Sequence, residues 1–408
     1  MNKKLLQQYA ELAIKEGVRI EKGDELWINA NLDQPEFVTA CVEEAYKAGA
    51  KKVIVRWNYD PVNKLTYKYA TLGTLSKVAP YEIARWKYAS KKNPAMLHIV
   101  SDDPDAMKGI NQMKIAKARM KSYPKIKPFR DKMDGHYKWC IIAVPGNAWA
   151  KKIFPKLNEE EAKEALWDAI FKCTRVDETK TIENWEKHNA YLIEKRNKLH
   201  DLNLKSLDYK SANGTDFHVE LIKGCLWGAG VEKTAEGKLF NPNMPTEEVF
   251  TSPQYGKCEG KLVATKPLSY MGSLIEDFAI TFKDGKVSKV EAKKGQQVLE
   301  QMVKMDEGAS MLGEVALVPF TSPINESGIL FYETLFDENA CCHVALGCGF
   351  GECIEGGSSM TTEECKAHGI NDSMIHVDFM IGSKDLSIVG TTFDNKKVQI
   401  FKDGVWAI

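Results

Sequence analysis

A chain of 408 residues exceeds one ordinary core and points to two or three domains. With 44% hydrophobic and 27% charged residues, its composition is that of a soluble globular protein. Lys plus Arg equal Asp plus Glu at 56 each, so the net charge is zero and nothing electrostatic recommends nucleic acid or a membrane surface as partner.

The opening residues carry two lysines and then turn polar and amphipathic, with no apolar core segment and no small-residue cleavage site, so no secretion signal is read. No run of about 18 apolar residues offers a membrane span. Ten cysteines in such a chain default to reduced thiols, and the cytoplasm is the expected location.

Leu5, Tyr9, Leu12 and Ala13 fall at helical spacing, with Gly17 as the stop. Residues 24–30 read as a strand, 34–48 as a helix with Pro35 in its first turn and Gly49 at its end, and 52–57 as the next strand. Strand, helix and strand within about 30 residues make a βαβ unit, which implies parallel strands. Further buried strands are expected at 96–100 and 139–144. Helices are expected at 105–121 and at 158–173, where Asn158 caps a turn of three glutamates, and a charged helix over 182–199 leads out. Residues 1–200 thus form an α/β N-terminal domain with a parallel sheet. No Gly-x-Gly-x-x-Gly follows a strand and no Walker-type loop appears, so this half is read as structural or substrate-gating.

From about Leu204 the texture changes. Residues 215–221 alternate as a half-buried strand does, 280–290 are two short strands around Asp284-Gly285, and 401–406 repeat that pattern around Asp403-Gly404. A short helix is expected at 296–305. Residues 201–408 form an α+β domain dominated by antiparallel strands.

That half carries the chemistry. In Ile375-His376-Val377-Asp378-Phe379 the histidine and the aspartate share one strand face, and the three apolar residues take the other. Asp337 and Glu338 precede His343 closely enough for a turn to bring a carboxylate and an imidazole to one ion. Glu314 is a charge inside the apolar run 312–318, costly unless paired or metal-bound. Glu247 and Glu248 stand side by side before Val249. Taken alone, the His376/Asp378 pair is better explained as a solvated strand face and Glu247/Glu248 as a solvated loop. Together these segments supply the carboxylates and imidazoles of a two-metal hydrolytic site.

The stretches 243–251, 312–319, 328–340, 343–347 and 375–382 resemble, in order and spacing, the aminopeptidase T / aminopeptidase S family of metallopeptidases. The resemblance implies a metal-dependent aminopeptidase with two divalent ions per chain, zinc, cobalt or manganese. Its substrates would be short peptides with a free amino terminus. It also implies a homodimer whose N-terminal domains help enclose the catalytic chamber. The ligands it implies are Glu248, Glu314, Glu338, His343, His376 and Asp378, with Glu248 preferred to Glu247 on its spacing to Glu314. Glu314, in contact with both ions, is expected to serve as general base. Relatives place an assisting tyrosine seven residues after the histidine matching His343; here that residue is Phe350, which has no hydroxyl, and Tyr332 is the substitute considered.

Rival readings use the same residues. Cys341, Cys342, Cys348, Cys353 and Cys365 surround His343, but no Cys-x-x-Cys spacing supports a thiolate metal site. Cys342 beside His343 would make a Cys–His hydrolase only if sequence neighbours faced one another. A non-catalytic peptide- or protein-binding module is the alternative of a different class. His98 is expected as a satisfied core residue, His218 on a solvated strand face, and His136, His188 and His200 in polar surroundings.

Overall fold

The computed structural model describes residues 2–408, and the chain divides into two compact units, Met1–Glu186 with Val231–Met244 and Lys187–Gly230 with Pro245–Ile408. The first unit holds a wholly parallel sheet in the order Asn243–Met244, Trp139–Ala143, Ala95–Val100, Glu25–Asn31, Lys52–Asn58. Its last contribution comes from far down the chain. The unit boundary lies inside the helix Thr181–Leu202 rather than at 200, because Leu192 and Leu199 of that helix pack into the second unit's core.

Local chemistry explains the helices of this unit. Asn2 Oδ1 accepts the Lys4 N–H at 2.9 Å and starts Lys3–Leu12. The buried Tyr9 hydroxyl then donates to Ala143 O at 2.8 Å, tying that helix to the sheet. Asn158 and Glu161 form a reciprocal capping box on Glu159–Cys173. The helix expected at 105–121 is displaced: it runs Gln112–Arg130, capped by Asn111 and continuing through Pro124 and Pro128. Both prolines are exposed, so each missing N–H sits on the solvent side. Helices Asp60–Tyr69 and Pro80–Lys92 were not anticipated. No helix among the described residues is long and apolar enough to cross a membrane.

The second unit is antiparallel. One sheet of nine strands is built around Ser273–Lys283, Pro253–Val263, Asp216–Leu221, Leu204–Lys210 and Ser387–Thr392. A sheet of five runs His376–Met380, His343–Gly347, Leu312–Leu317, Val249–Thr251, Gly228–Ala229. One apolar cluster joins them: Val315, Leu317, Val344, Leu346, Val377 and Phe379 from the smaller sheet meet Leu207, Phe217, Phe278 and Ile280 from the larger. Phe278 and Phe379 pack in a tilted pair with ring centroids 5.8 Å apart. Burying that face commits the alternate residues of the five-stranded sheet to the other side.

Candidate metal centre

Alternation decides which side chains share the free face. Opposite the core residues stand Glu314 and Ala316, then His343, Ala345 and Gly347, then His376, Asp378 and Met380. The register aligns Glu314 with Ala345 and Ala345 with Asp378, so a methyl group separates two carboxylates in one cross-strand row. A bulge between Leu312 and Glu314 sets that row. It needs Gly313, where a Cβ would lie 2.3 Å from Cys348 O. Gly347, at φ +106, likewise admits Ile375 O, which would sit 2.1 Å from a Cβ. Glu248 precedes the strand Val249–Thr251 and has the parity of Phe250, whose partner is Ala316. Glu247 has the opposite parity.

Two groupings result, Glu248 with Glu314 and His343, and Glu314 with His376 and Asp378; within each, one ligand atom per residue lies within 4.8 Å of the others. Glu314 belongs to both. Glu338, on the single turn Glu338–Ala340, lies outside both groupings. Its carboxyl is raised well above the usual range by burial, then by the charges of Asp378, Glu248 and Glu314.

The imidazoles are pre-set. His343 Nδ1 donates to Cys341 O at 3.2 Å and His376 Nδ1 to Cys348 O at 2.7 Å. Each Nε2 therefore faces carboxylates: His343 toward Glu248 Oε2 at 3.1 Å, His376 toward Glu314 Oε2 at 3.1 Å and Asp378 Oδ1 at 3.4 Å. A lone pair aimed at a carboxylate oxygen is repelled unless a proton or a metal cation lies between. With protons in that role, burial depresses His343, but Glu248, then Glu314 and Asp378, outweigh it and push it to about 9. His376 is likewise depressed by burial yet carried to about 12 by Asp378 and Glu314. Burial lifts Glu314 to about 7 against the pull of His376, with Asp378 and Glu248 adding to the rise. Burial would raise Asp378 too, but His376 and His343 hold it below the usual range.

The donor set fits a hard or borderline divalent ion. Asp378 Oδ1 is buried without a hydrogen-bond partner, and both ring nitrogens needed for ligation are freed by backbone acceptors. Glu247 faces away, its carboxylate 3.8 Å from His188 Nε2. His188 is buried and donates to Thr246 O at 2.7 Å, which corrects its expected polar setting. Phe350 lies against His376, ring centroids 4.8 Å apart, and against Phe250 at 5.5 Å. Tyr332 sits at φ 57 in a loop held by Asp337, whose carboxylate accepts the N–H groups of Phe331 at 2.8 Å and Glu333 at 3.2 Å.

The other histidines do structural work. His218 pairs with Asp208 at 2.7 Å on an exposed strand face, His136 with Glu236 at 2.7 Å, and His98 Nδ1 lies 3.4 Å from Asn29 Nδ2. Cysteines enter neither grouping, and all ten are free thiols. Cys342 Sγ donates to Val318 O at 3.3 Å on the face opposite His343, and burial pushes that thiol up, so the pair is not a nucleophile and base. Sequence reasoning passed over Ala345 and Asn339. Neither carries a chemical signal; one matters through register, the other through contacts made after folding.

Residues 2–406 match the thermophilic metalloprotease family M29. Aminopeptidase AmpS of Bacillus subtilis is 41% identical over 403 residues, covering 98% of each chain. Aminopeptidase 2 of Geobacillus stearothermophilus is 41% identical over 405 residues, 99% of this chain and 98% of that one. The solved structure of wild-type AmpT from Thermus thermophilus shares the fold with a TM-score of 0.91, at 36% identity over 100% of both chains. A full-length match of sequence and fold, joined to a carboxylate–imidazole cluster suited to divalent ions, makes the chain a member of the M29 metalloproteases and a metal-dependent peptide hydrolase.

Proposed function

We propose that the protein is an aminopeptidase that releases the first residue of short peptides at a site for two divalent ions, zinc, cobalt or manganese. The ligands in this reading are Glu248, Glu314, His343, His376 and Asp378, with Glu338 closing the set. The observation that carries it is the sharing of Glu314 between two groupings that each include a histidine with its Nδ1 already engaged.

Two bound ions would polarise the scissile carbonyl and bring the ionisation of a water near neutral pH. The chain's own part is positional and protolytic. The small side chain of Ala345 stands between Glu314 and Asp378 in their cross-strand row, and the backbone acceptors of Cys341 and Cys348 fix the two rings. Glu314 accepts the proton of the attacking water and returns it to the leaving amine, a role its place in both groupings allows. Phe350 and Phe250 form an apolar wall beside His376. We further place the protein in the cytoplasm on its free thiols and, on the family resemblance, as a homodimer; light scattering of the purified protein tests the dimer.

The deciding experiment is metal analysis with hydrolysis of aminoacyl-p-nitroanilides, before and after chelation and after readdition of cobalt or zinc. Activity that disappears with the metal and returns with it is expected. A protein that purifies without metal and cleaves regardless of chelators defeats the reading.

A further inference from the structure

The strip Thr246-Glu247-Glu248 is gripped at its backbone. His188 donates to Thr246 O at 2.7 Å, and the Glu247 N–H goes to Asn339 Oδ1 at 2.7 Å. Asn339 is fully enclosed at 0% exposure. Its Nδ2 donates to Leu335 O at 3.1 Å and lies 3.5 Å from Glu338 Oε1, while its own carbonyl accepts the Ser322 hydroxyl at 2.7 Å. One carboxamide thus joins the strip carrying Glu248 to the turn carrying Glu338. It uses a donor and an acceptor at once, which neither Asp nor Leu of similar size supplies.

We propose that Asn339 is a positioning residue that fixes the Glu248 and Glu338 segments relative to one another and thereby sets the affinity for divalent ions. The inference rests on the ligand reading given above. A buried N–H deprived of its acceptor must find another or move. Glu247 N is one residue from Glu248, whose Oε2 stands 3.1 Å from His343 Nε2, so movement of that strip opens this contact. Outer partners of metal ligands change affinity by roughly 10–100-fold when removed.

The test compares wild type with Asn339→Ala and Asn339→Asp, and with Thr174→Val as a control. Thr174 is a buried hydroxyl of the first unit that donates to Ile170 O at 2.7 Å. Zinc affinity is read by competition with a chromogenic chelator, the cobalt-loaded protein by its visible absorption, and folding by thermal melts. Asn339→Ala is expected to melt cooperatively, bind zinc 10–100-fold more weakly and alter the cobalt spectrum; Thr174→Val should change only the melt. Asn339→Asp keeps the acceptor for Glu247 N–H but loses the donor and sets a charge beside Glu338, so it should also bind more weakly; it decides the matter if the alanine variant does not fold. Wild-type affinity and spectrum in a folded Asn339 variant overturn the proposal, as does equal weakening in Thr174→Val. A wild type that takes up no divalent ion sinks the ligand reading itself, and this inference with it.

Discussion

Replacing Glu314 with Gln keeps the shape of a side chain that is 4% exposed and removes the one carboxylate common to both groupings. In the metal-free chain burial, then Asp378 and Glu248, carry Glu314 to about 7 against the pull of His376. Lifting a carboxyl from 4.5 to about 7 makes its ionisation in the fold cost roughly 3 kcal/mol more than in the unfolded chain. A carboxyl raised in this way contributes stability that is fully present below its unfolded value and is lost as pH rises through its folded one. At pH 8 the metal-free wild type therefore bears the whole penalty, and a neutral Gln bears none.

Three results follow from this geometry. After chelation, Glu314→Gln at pH 8 should be more stable than wild type by up to roughly 3 kcal/mol, an advantage that fades as pH falls toward 4.5. Adding zinc or cobalt at about 1,000 times the dissociation constant should reverse the ranking, because the ion then stabilises the wild type by about 4.1 kcal/mol and finds one ligand fewer in the variant. Turnover should fall by roughly 10²–10⁴-fold if Glu314 moves the proton. Urea unfolding at pH 5 and pH 8, with chelator and with metal, reads the first two; p-nitroanilide release reads the third. A metal-free variant less stable than wild type at pH 8, or equal stabilisation of both proteins by metal, would refute the reasoning.

Glu248→Gln should weaken zinc binding far more than Glu247→Gln, since only Glu248 faces His343; comparable losses in a chelator competition would contradict that division. Phe350→Tyr places a hydroxyl next to His376 and should raise kcat at constant KM, by up to the roughly 10²–10³-fold of an oxyanion donor. An unchanged kcat would mean that another group already donates. His200 Nε2 accepts the Trp227 N–H at 2.7 Å, and burial, then Arg196, depress its pKa. Its contribution is therefore present above the ordinary histidine value and lost as pH falls through the lower folded one. His200→Leu should destabilise by about 1–3 kcal/mol at pH 7.5 and by less at pH 5; a gap that does not narrow in urea titrations excludes this role.

The parallel sheet was legible because its inner strands Glu25–Asn31 and Ala95–Val100 are buried runs and the helix Pro35–Lys47 between strands has an apolar face. The helices that went unseen bury almost nothing. Asp60–Tyr69 buries no residue and Pro80–Lys92 buries only Ala89, although Val62, Leu65 and Tyr69 stand at helical spacing on an exposed face. Gln112–Arg130 likewise buries only Ala118, so its apolar residues mark neither its start at the Asn111 cap nor its run through Pro124 and Pro128. Pattern reading detects burial, and it informs least where a helix buries little.

The same limit divides the candidate site. His376 and Asp378 could be paired from the sequence because strand alternation is local, and Glu314 stood out because an unpartnered charge inside Leu312–Leu317 is energetically implausible. Choosing Glu248 over Glu247 from residues alone had no local basis; the structure supplies one in parity, since the strand Val249–Thr251 turns one of two neighbours toward His343 and the other toward His188. Register is the part no local pattern contains. Gly313 makes the bulge that aligns Glu314 with Ala345, and Ala345 in turn with Asp378; a one-residue slip would send Glu314 into the apolar core and Val315 to the opposite face. The apolar face of these strands therefore constrains the polar one: with Val315, Val344, Val377 and Phe379 buried together, alternation puts Glu314, His343, His376 and Asp378 on the opposite side.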